Sequence, residues 1–436
     1  MTKTSNGGWH VAVIGGGWAG MAAAVELATR GIRVTVFEAA QTLGGRARRV
    51  ESHGENLDNG LHILIGAYGE TVRMIDRVRG PKQARGLLRV PLQLRVEPGF
   101  RMRAWPLSTP LHTGAGLLFA SGLCWGEKFA AIRFMRNMQS QRFCCDEGMT
   151  VTMLLQQQRQ PAAIVEYLWK PLCISALNTD PAEADAQVFL HVLRDSLTGP
   201  RQASDLLLPQ VDFSALFPEP AARFIIERGG HVLLGETVTA LRTLDSGFEI
   251  ITSSPQRFSH VIVAVGPHRL EQVVGHIPQL TSQLNLVRQF QYRPIYSVFV
   301  QYPHNVTLPG LMIGMRDNLV QWVFDRGKLC NQPGMMGVVI SASGPHQDLS
   351  REELARQVHQ QLKQQFSFPE PRWSQVIAEK RAAFACLPRL QRPANVTPVA
   401  GLFLAGDYTE SPYPATLETA VRSGSQCARQ IAKDHA

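Results

Sequence analysis

The chain has 436 residues, of which 44% are hydrophobic and 18% are charged, and its formal net charge is +9. This length is too great for a single compact core and predicts two domains. A basic balance suits a phosphorylated ligand or an anionic membrane surface, whereas nucleic acid is not expected, because the basic residues are scattered and no finger or helix-turn-helix spacing occurs.

The sequence carries no pattern for export or for a helix that spans a membrane. The apolar run near the N-terminus is interrupted by three glycines, unlike a secretory signal. No apolar stretch reaches the roughly 18 residues that a spanning helix needs. Residues 113–125 come nearest, and they form either a buried helix or a helix lying in one leaflet of a bilayer. Together with seven cysteines and no C-x-x-C pair, this pattern predicts a cytoplasmic protein with reduced thiols.

Residues 10–38, HVAVIGGGWAGMAAAVELATRGIRVTVFE, predict a strand, a glycine-rich turn, a helix and a second strand. Gly15, Gly17 and Gly20 form the pattern G-x-G-x-x-G. The first glycine permits the tight turn, the second lets a pyrophosphate approach the backbone, and the third lets helix and strand pack closely. Glu38 ends the second strand, where its carboxylate can accept hydrogen bonds from ribose hydroxyls and disfavours a 2′-phosphate. We therefore predict a dinucleotide site that does not take NADP.

The residues after Glu38 help to choose between dinucleotides. Gly44, Gly45 and Arg46 follow it closely, and this continuation resembles that of flavoproteins in the amine oxidase and phytoene desaturase superfamily. The resemblance implies FAD as the cofactor, with these three residues extending the site for the pyrophosphate and ribityl chain. A fixed guanidinium beside a dianionic pyrophosphate is also favourable electrostatically. In the same superfamily the loop that matches residues 57–64 passes close to the flavin ring.

The remaining elements predict a nucleotide-binding domain that is interrupted twice. Residues 68–217 read as mainly helical, and residues 218–269 return to alternating helix and strand. Residues 270–392 predict a mostly antiparallel sheet with one exposed helix. We expect an α/β fold in which a discontinuous Rossmann-type (GR2-like) FAD-binding domain carries an inserted substrate domain of helices plus that sheet. The predicted FAD-binding domain comprises residues 1–67, 218–269 and 393–436, and the predicted substrate-binding domain comprises residues 68–217 and 270–392.

The C-terminal stretch resembles the last strand and helix of such an FAD-binding domain. By that resemblance Gly406 allows close approach, and Asp407 is placed for the ribityl or phosphate hydroxyls. Thr416 and Leu417 begin the final helix, whose N–H groups would face the pyrimidine side of the flavin. The other cofactor residues that the resemblance implies are Gly60 and Val238. No metal site is predicted.

Five further segments narrow the resemblance to one family. They are DNGLHILIGAY (58–68), LWKPLCISALNT (168–179), FLHVLRDSL (189–197), ASDLLLPQVDFSALFPEPAARFI (203–225) and LAGDYTESPYPATLETAVRSG (404–424). Together with the glycine pattern they resemble the hydroxysqualene dehydroxylases, also called squalene-associated FAD-dependent desaturases, over nearly the whole chain. Two positions depart from that family's pattern, Leu61 where a Gln is usual and Lys170 where an acidic residue is common.

The resemblance implies a reaction of squalene and hopanoid synthesis in bacteria. Hydroxysqualene loses its hydroxyl group and gains a hydride from the reduced flavin, and the product is squalene. Such a reaction calls for an apolar tunnel that excludes water from an allylic cation. An apolar substrate also favours peripheral association with the cytoplasmic membrane, through residues 113–125 and nearby basic residues. The sequence has no second G-x-G-x-x-G, so electrons come from NADPH that docks transiently, from another reductase or from free reduced flavin.

The proton donor for the departing hydroxyl is left open by the sequence. His62 lies in the loop expected near the flavin, and the usual pKa of histidine suits proton donation. Asp195 either acts as an acid or pairs with its neighbour Arg194. Glu183 and a bound water are further candidates.

Three other functions are compatible with the same sequence. A carotenoid or phytoene-type desaturase would move hydride from the substrate to FAD. An amine oxidase is less well matched, because no cysteine stands in the C-terminal motif for covalent flavin attachment. A protein that binds prenyl lipids without turnover would use the same fold without the chemistry.

Overall fold

The computed structural model describes residues 9–80, 86–316 and 319–435. Four sheets of three or more strands and several helical layers make up this part of the chain. The strands are β1 (His10–Ile14), β2 (Arg33–Glu38), β3 (Arg49–Ser52), β4 (Glu55–Asp58), β5 (Leu64–Ile65), β6 (Leu87–Val90), β7 (Gln93–Glu97), β8 (Phe100–Arg103), β9 (Leu206–Pro209), β10 (His231–Leu234), β11 (Ala240–Leu244), β12 (Gly247–Ile251), β13 (Gln256–Phe258), β14 (His260–Val263), β15 (Tyr292–Gln301), β16 (Met312–Met315), β17 (Trp322–Asp325), β18 (Met335–Ser341), β19 (Trp373–Phe384) and β20 (Leu402–Leu404).

The helices connect and cover these sheets. They are α1 (Trp18–Thr29), α2 (Gly69–Arg79), α3 (Leu111–Leu118), α4 (Trp125–Ser140), α5 (Val151–Gln157), α6 (Ala162–Ile164), α7 (Lys170–Leu177), α8 (Ala186–Leu197), α9 (Phe213–Leu216), α10 (Pro218–Ile226), α11 (Pro267–Val274), α12 (Thr281–Arg288), α13 (Arg326–Cys330), α14 (Arg351–Phe366) and α15 (Leu417–His435). A turn of π-helix, Val165–Trp169, joins α6 to α7.

A parallel sheet in the order β10-β2-β1-β14-β20 carries the glycine-rich turn. Val11 and Val13 pack with α1, α10 and α15 on one face, whereas Ala12 and Ile14 pack with the β11-β12-β13 sheet and α11 on the other. Burial on both faces explains why β1 is apolar throughout rather than alternating. The strands of this sheet come from separate parts of the chain, so the predicted discontinuous Rossmann-type fold is confirmed.

A second sheet has seven strands, in the order β19-β15-β18-β17-β16-β7-β8. Its neighbours pair antiparallel except β16 and β7, which run parallel. Helix α14 covers one face through Leu354, Val358 and Leu362, and α4, α7 and α8 pack with the opposite side. The mostly antiparallel sheet that the sequence predicted is therefore present.

Residues 86–217 contain the predicted helices and also four strands that the sequence analysis missed. Strands β7 and β8 alternate between buried and more exposed residues, but they are short; β8 pairs with β7, and β7 pairs with β16, far along the chain. Strand β9 joins β5 and β6 in a small antiparallel sheet. Residues 113–125 do not form one helix, because α3 ends at Leu118 and α4 begins at Trp125. The residue boundaries of the two predicted domains stay a prediction.

Candidate active site

A cavity of about 1090 Å³ opens at the carboxyl ends of β1, β2 and β14, and we call it the glycine-rich cavity. Open parallel sheets bind their ligands at this end. Every predicted cofactor residue except Gly20 lines the cavity, and these residues are Gly15, Gly17, Glu38, Gly44, Gly45, Arg46, Gly60, Val238, Gly406, Asp407, Thr416 and Leu417.

The glycines of the first turn have different structural roles. Gly15 has a φ of +110°, and a Cβ there would lie 2.6 Å from the carbonyl oxygen of Ala264. A Cβ on Gly20 would lie 2.0 Å from the carbonyl oxygen of Gly15, so Gly20 serves the packing of α1 and lies outside the cavity. At Gly17 the nearest atom to a Cβ is the Gly45 Cα, 3.8 Å away, which leaves room for a ligand to approach.

Helix α1 points its N-terminus at this open space. It begins directly after Gly17, has no side-chain cap and carries no acidic residue in its first turn. The first N–H groups of the helix and the positive end of its dipole are therefore available to an anion. This arrangement fits the pyrophosphate of a dinucleotide.

Three charged residues in the cavity are held in place by the protein itself. The carboxylate of Glu38 accepts hydrogen bonds from the backbone N–H of Gly16 at 2.7 Å and of Ala40 at 2.8 Å. Arg46 donates to the carboxylate of Asp407 at 2.6 Å and to the carbonyl oxygen of Ala382 at 2.7 Å. Each carboxylate oxygen keeps a second lone pair, so Glu38 and Asp407 can still accept hydrogen bonds from a ligand's hydroxyl groups.

Tyr408 gives an independent indication that a polar ligand belongs here. Its side chain is buried and lines the glycine-rich cavity, and its hydroxyl has no hydrogen-bond partner within the described structure. A buried hydroxyl without a partner is destabilising unless a ligand or water supplies one. A Cβ on Gly406 would lie 2.4 Å from the Tyr408 ring, so glycine at that position permits this placement. The Tyr408 hydroxyl, which has no partner in the described structure, is therefore suited to a hydrogen bond with a bound cofactor.

His62 lies in the same cavity, but its pKa departs from the usual value on which its expected role as an acid was based. Its ring meets the ring of Phe213 edge-on, with centroids 5.1 Å apart. Burial and the positive charge of Arg46 lower the pKa of His62 to about 4. The imidazole is therefore neutral near pH 7, and the usual pKa that favoured it as an acid does not apply. A neutral ring still offers one donor and one acceptor, and a catalytic role for His62 stays a prediction.

A second cavity, of about 750 Å³, adjoins the first, and we call it the apolar cavity. Its walls come from β5, β7, α3, α4, α7 and α8, and they include Leu92, Met135, Trp169, Leu172, Phe189 and Leu193. The volume falls in the range of small-molecule sites. The composition suits a hydrocarbon chain rather than a charged amine.

Asp195 lines the apolar cavity and belongs to a polar cluster in its wall. Arg194 Nε donates to its carboxylate at 2.7 Å, and the hydroxyl of Tyr413 donates to the other oxygen. Burial alone would raise the pKa of Asp195, but these two hydrogen bonds together with the positive charges of Arg194 and Arg422 outweigh burial and lower the pKa. Asp195 is therefore ionised near neutral pH and paired with Arg194, and a catalytic role for Asp195 stays a prediction. The guanidinium of Arg422 lies 4.9 Å from the Tyr413 ring centroid and pairs with Glu418.

Six residues line both cavities and mark the place where they meet. They are Ile63, Tyr68, Ser175, Ala176, Trp322 and Thr416. A substrate in the apolar cavity would reach a cofactor in the glycine-rich cavity past these side chains. Of the six, only Thr416 was predicted from the sequence as a site residue. Tyr68 and Ser175 lie inside two of the segments that carry the family resemblance, and this is the one signal in the sequence from which they could have been identified.

Other predicted positions lie away from this junction. Glu183 pairs with Arg293 at 2.6 Å and lines neither cavity, so it is not placed for catalysis. Lys170, one of the two departures from the family pattern, pairs with Glu166 at 3.0 Å outside both cavities. The other departure, Leu61, lines the glycine-rich cavity. No group of three or more His, Cys, Asp and Glu side chains suited to a metal ion occurs among residues 9–80, 86–316 and 319–435.

Six exposed apolar side chains lie on and beside α3 and α4, and we call them the aromatic rim. It consists of Trp105, Leu107, Leu111, Phe119, Trp125 and Phe129, each between 39% and 66% exposed. Two pairs of rings stack within it, Trp105 on Phe119 and Trp125 on Phe129. Leu107 and Leu111 also line the apolar cavity, so the rim and the cavity are continuous.

In the described parts of the chain, every helix is too short or too polar to cross a bilayer.

Comparison with known proteins agrees with this architecture. A family model described as flavin containing amine oxidoreductase matches residues 18–432. A hydroxysqualene dehydroxylase of Rhodopseudomonas palustris is 28% identical, over 96% of this chain and 97% of its own length. A zeta-carotene desaturase of Capsicum annuum is 23% identical, over 97% of this chain and 80% of its own length. Cyclohexylamine oxidase from Brevibacterium oxydans superposes with a TM-score of 0.68 at 18% identity, covering 98% of this chain and 99% of that one, a likeness that concerns the fold.

Proposed function

Because the chain belongs to the flavin containing amine oxidoreductases and is an FAD-dependent oxidoreductase, we propose that it converts hydroxysqualene to squalene. The hydroxyl group takes up a proton, for which a bound water is the remaining candidate donor, and leaves as water, and the carbon gains a hydride. The observation that carries this proposal is the apolar cavity beside the glycine-rich cavity, with Asp195 as its ionised wall residue. The similarity to the Rhodopseudomonas palustris hydroxysqualene dehydroxylase over the full length of both chains supports the same substrate.

The residues of the glycine-rich cavity are the proposed FAD site. Gly15, Gly17 and the N-terminus of α1 would hold the pyrophosphate, and Glu38 would accept hydrogen bonds from the ribose. The Arg46–Asp407 pair would contact the chain between pyrophosphate and ring. When bound, FAD supplies hydride-transfer chemistry.

The protein's own contribution is to place an apolar chain and keep water away from it. An allylic cation is captured by any water within reach, so a wall of hydrocarbon side chains favours hydride capture instead. The carboxylate of Asp195 would stabilise positive charge that develops in the cavity, because a charge of opposite sign acts strongly where water is excluded. His62, as a neutral imidazole, would orient polar groups beside the cofactor without supplying a proton from an imidazolium.

The reaction is tested by product analysis with three substrates. Flavin-loaded protein is reduced chemically, which removes the need to know whether NADPH, a reductase or free reduced flavin is the natural donor. Hydroxysqualene should yield squalene, whereas phytoene and a primary amine, tested with the oxidised protein, should remain unchanged. Dehydrogenation of phytoene without conversion of hydroxysqualene would instead support a carotenoid-type desaturase, which the Capsicum annuum relative keeps open. Binding of squalene by protein without flavin would support a lipid carrier.

Peripheral association with a membrane is part of the same proposal. The aromatic rim opens into the apolar cavity, and exposed Arg103, Arg133 and Arg136 lie in the same segments. Aromatic side chains insert at the headgroup level of a bilayer while arginines pair with anionic lipids. A water-insoluble substrate would then enter the cavity from the leaflet.

Liposome flotation tests this association with a matched pair of variants. Phe119→Ser with Trp125→Ser removes two exposed rim side chains and should reduce flotation with anionic liposomes at least several-fold. Ile226→Ser removes an equally exposed apolar side chain on α10, 56% exposed, and should have no effect. Equal flotation of all three proteins, or flotation that ignores lipid charge, would exclude the rim as the membrane contact.

A further inference from the structure

Two hydroxyl-bearing side chains, Tyr68 and Ser175, stand among the otherwise mainly apolar residues where the two cavities meet. Tyr68 precedes α2 and Ser175 lies on α7, and each lines both cavities. Thr416, the third hydroxyl there, precedes α15. Polar groups at such a place are informative, because in an apolar cavity they fix the position of a ligand's polar group.

The direction of the hydrogen bonds shows what Tyr68 can offer to a ligand. The Thr419 hydroxyl donates its single hydrogen to the carbonyl oxygen of Pro414 at 2.8 Å. The 3.1 Å contact between the Thr416 and Thr419 hydroxyls must therefore use the hydrogen of Thr416. Thr416 therefore has no hydrogen left to donate to the phenol oxygen of the neighbouring Tyr68. The phenol oxygen of Tyr68 is left as an acceptor at the junction.

Tyr68 is also fixed in its protonated state. Burial and the negative charge of Glu418 raise the pKa of Tyr68 to about 12. Glu418 itself is held by the backbone N–H groups of Glu70 and Thr71, at 3.0 and 2.8 Å, and by Arg422 at 2.6 Å. The charge that, with burial, raises the pKa of the phenol is therefore held in place by the fold.

Ser175 has the complementary property. Its oxygen accepts a hydrogen bond from Trp322 Nε1 at 3.0 Å. Its own hydrogen has no acceptor among the residues that the structure describes. Ser175 thus has a hydrogen that it can donate to a ligand, whereas Tyr68 has an oxygen that can accept a hydrogen bond from one.

We propose that Tyr68 and Ser175 form a subsite for the hydroxyl group of an isoprenoid alcohol, which donates to Tyr68 and accepts from Ser175. An alcohol is the chemical group that both donates one hydrogen and accepts another. This subsite rests on the proposed function, since it names how that enzyme distinguishes its alcohol substrate from the hydrocarbon product. Once the hydroxyl has left, the product cannot make either hydrogen bond and binds less tightly.

The test compares the binding of hydroxysqualene and squalene to flavin-loaded, oxidised protein. Tryptophan fluorescence is a suitable signal, because Trp169 and Trp322 line the apolar cavity. The wild type should bind the alcohol more tightly than the hydrocarbon. Tyr68→Phe and Ser175→Ala should each reduce that preference about 3- to 10-fold, the value of one neutral hydrogen bond, with little change in affinity for squalene.

Two control variants remove the same chemical groups elsewhere. Tyr167→Phe deletes a phenol that donates to Pro98 outside both cavities. Ser196→Ala deletes a hydroxyl that lines the apolar cavity but donates to Val192. Neither should alter the preference for the alcohol. Flavin content and thermal unfolding of each variant report whether it has folded.

The outcomes separate the subsite from the reaction. A preference that survives both Tyr68→Phe and Ser175→Ala, or that falls equally in the controls, would overturn the subsite. A preference that depends on Tyr68 and Ser175 in a protein that never forms squalene would support the subsite and refute the proposed reaction. Failure of the wild type to bind either compound would refute both.

Discussion

Substitution of Gly424 tests whether the close packing of α15 on α1 supports the FAD site. A Cβ at Gly424 would lie 1.9 Å from the carbonyl oxygen of Ala19, whereas ordinary contact begins at 3.4 Å, so the two helices would have to separate by about 1.5 Å. Overpacking of this kind costs about 1–3 kcal/mol, and alanine recovers roughly 1 kcal/mol of helix propensity. Because the overlap is with backbone and severe, the upper end of that range applies, and the net loss for Gly424→Ala should be about 2 kcal/mol, which lowers the Tm by roughly 4–8 °C in a domain of this size.

The assay measures both the Tm and the flavin content of the purified protein. Helix α1 presents its N-terminus to the glycine-rich cavity, so its displacement should also reduce the fraction of protein that retains FAD. Gly69→Ala is the matched control, because no atom lies within 4 Å of a Cβ at that helical position. We expect the control to match or exceed the wild type in Tm. A Gly424→Ala protein with an unchanged Tm and full flavin content would refute the reasoning.

Three further predictions concern the buried charge pair, the histidine and the junction. Arg326→Met leaves the carboxylate of Asp58 buried without its partner at 3.2 Å and should cost about 3–5 kcal/mol in the free energy of unfolding. Arg288→Met removes an exposed ion pair and should have no measurable effect. Denaturant unfolding of the two variants and the wild type measures the difference. Because the pKa of His62 is lowered to about 4, the folded protein binds fewer protons there than the unfolded chain, and stability is lost as the pH falls from about 6.5 to about 4. His62→Gln should reduce that loss by on the order of 2 kcal/mol, and an identical pH profile of Tm for both proteins would contradict the burial of the ring. Ala176→Phe should obstruct the junction and lower the rate of squalene formation at least tenfold while FAD remains bound; unchanged turnover would mean that substrate reaches the flavin by another route.

The nucleotide-binding sheet was predictable because its signals are local. The spacing of Gly15, Gly17 and Gly20, the buried strand before them and Glu38 after them all fall within one βαβ unit. Strands β15, β16, β17 and β18 of the second sheet were also readable, since each is a run of apolar residues bounded by turns, whereas the more polar β19 was not predicted. Strands β7 and β8 were not predicted, because the hairpin that they form is fixed by the pairing of β7 with β16, a partner distant in sequence.

The cofactor site could be predicted more completely than the junction for the same reason. Most predicted cofactor residues lie in short motifs, so the sequence names them one by one. The junction combines Tyr68, Ser175 and Thr416, which come from three distant segments and meet only in the folded chain. The sequence also could not show that burial and Arg46 would hold His62 neutral, because the pKa of a histidine depends on its surroundings and not on its neighbours in sequence.

A single-turnover experiment with hydroxysqualene tests the central claim most directly. Protein carrying chemically reduced FAD is mixed anaerobically with one equivalent of the alcohol, and the flavin absorbance and the lipid products are followed together. The account predicts that the absorbance of oxidised flavin returns at the rate at which squalene forms, with one squalene for each flavin oxidised. Reduced flavin that persists in the presence of bound hydroxysqualene, with no squalene formed, would contradict it.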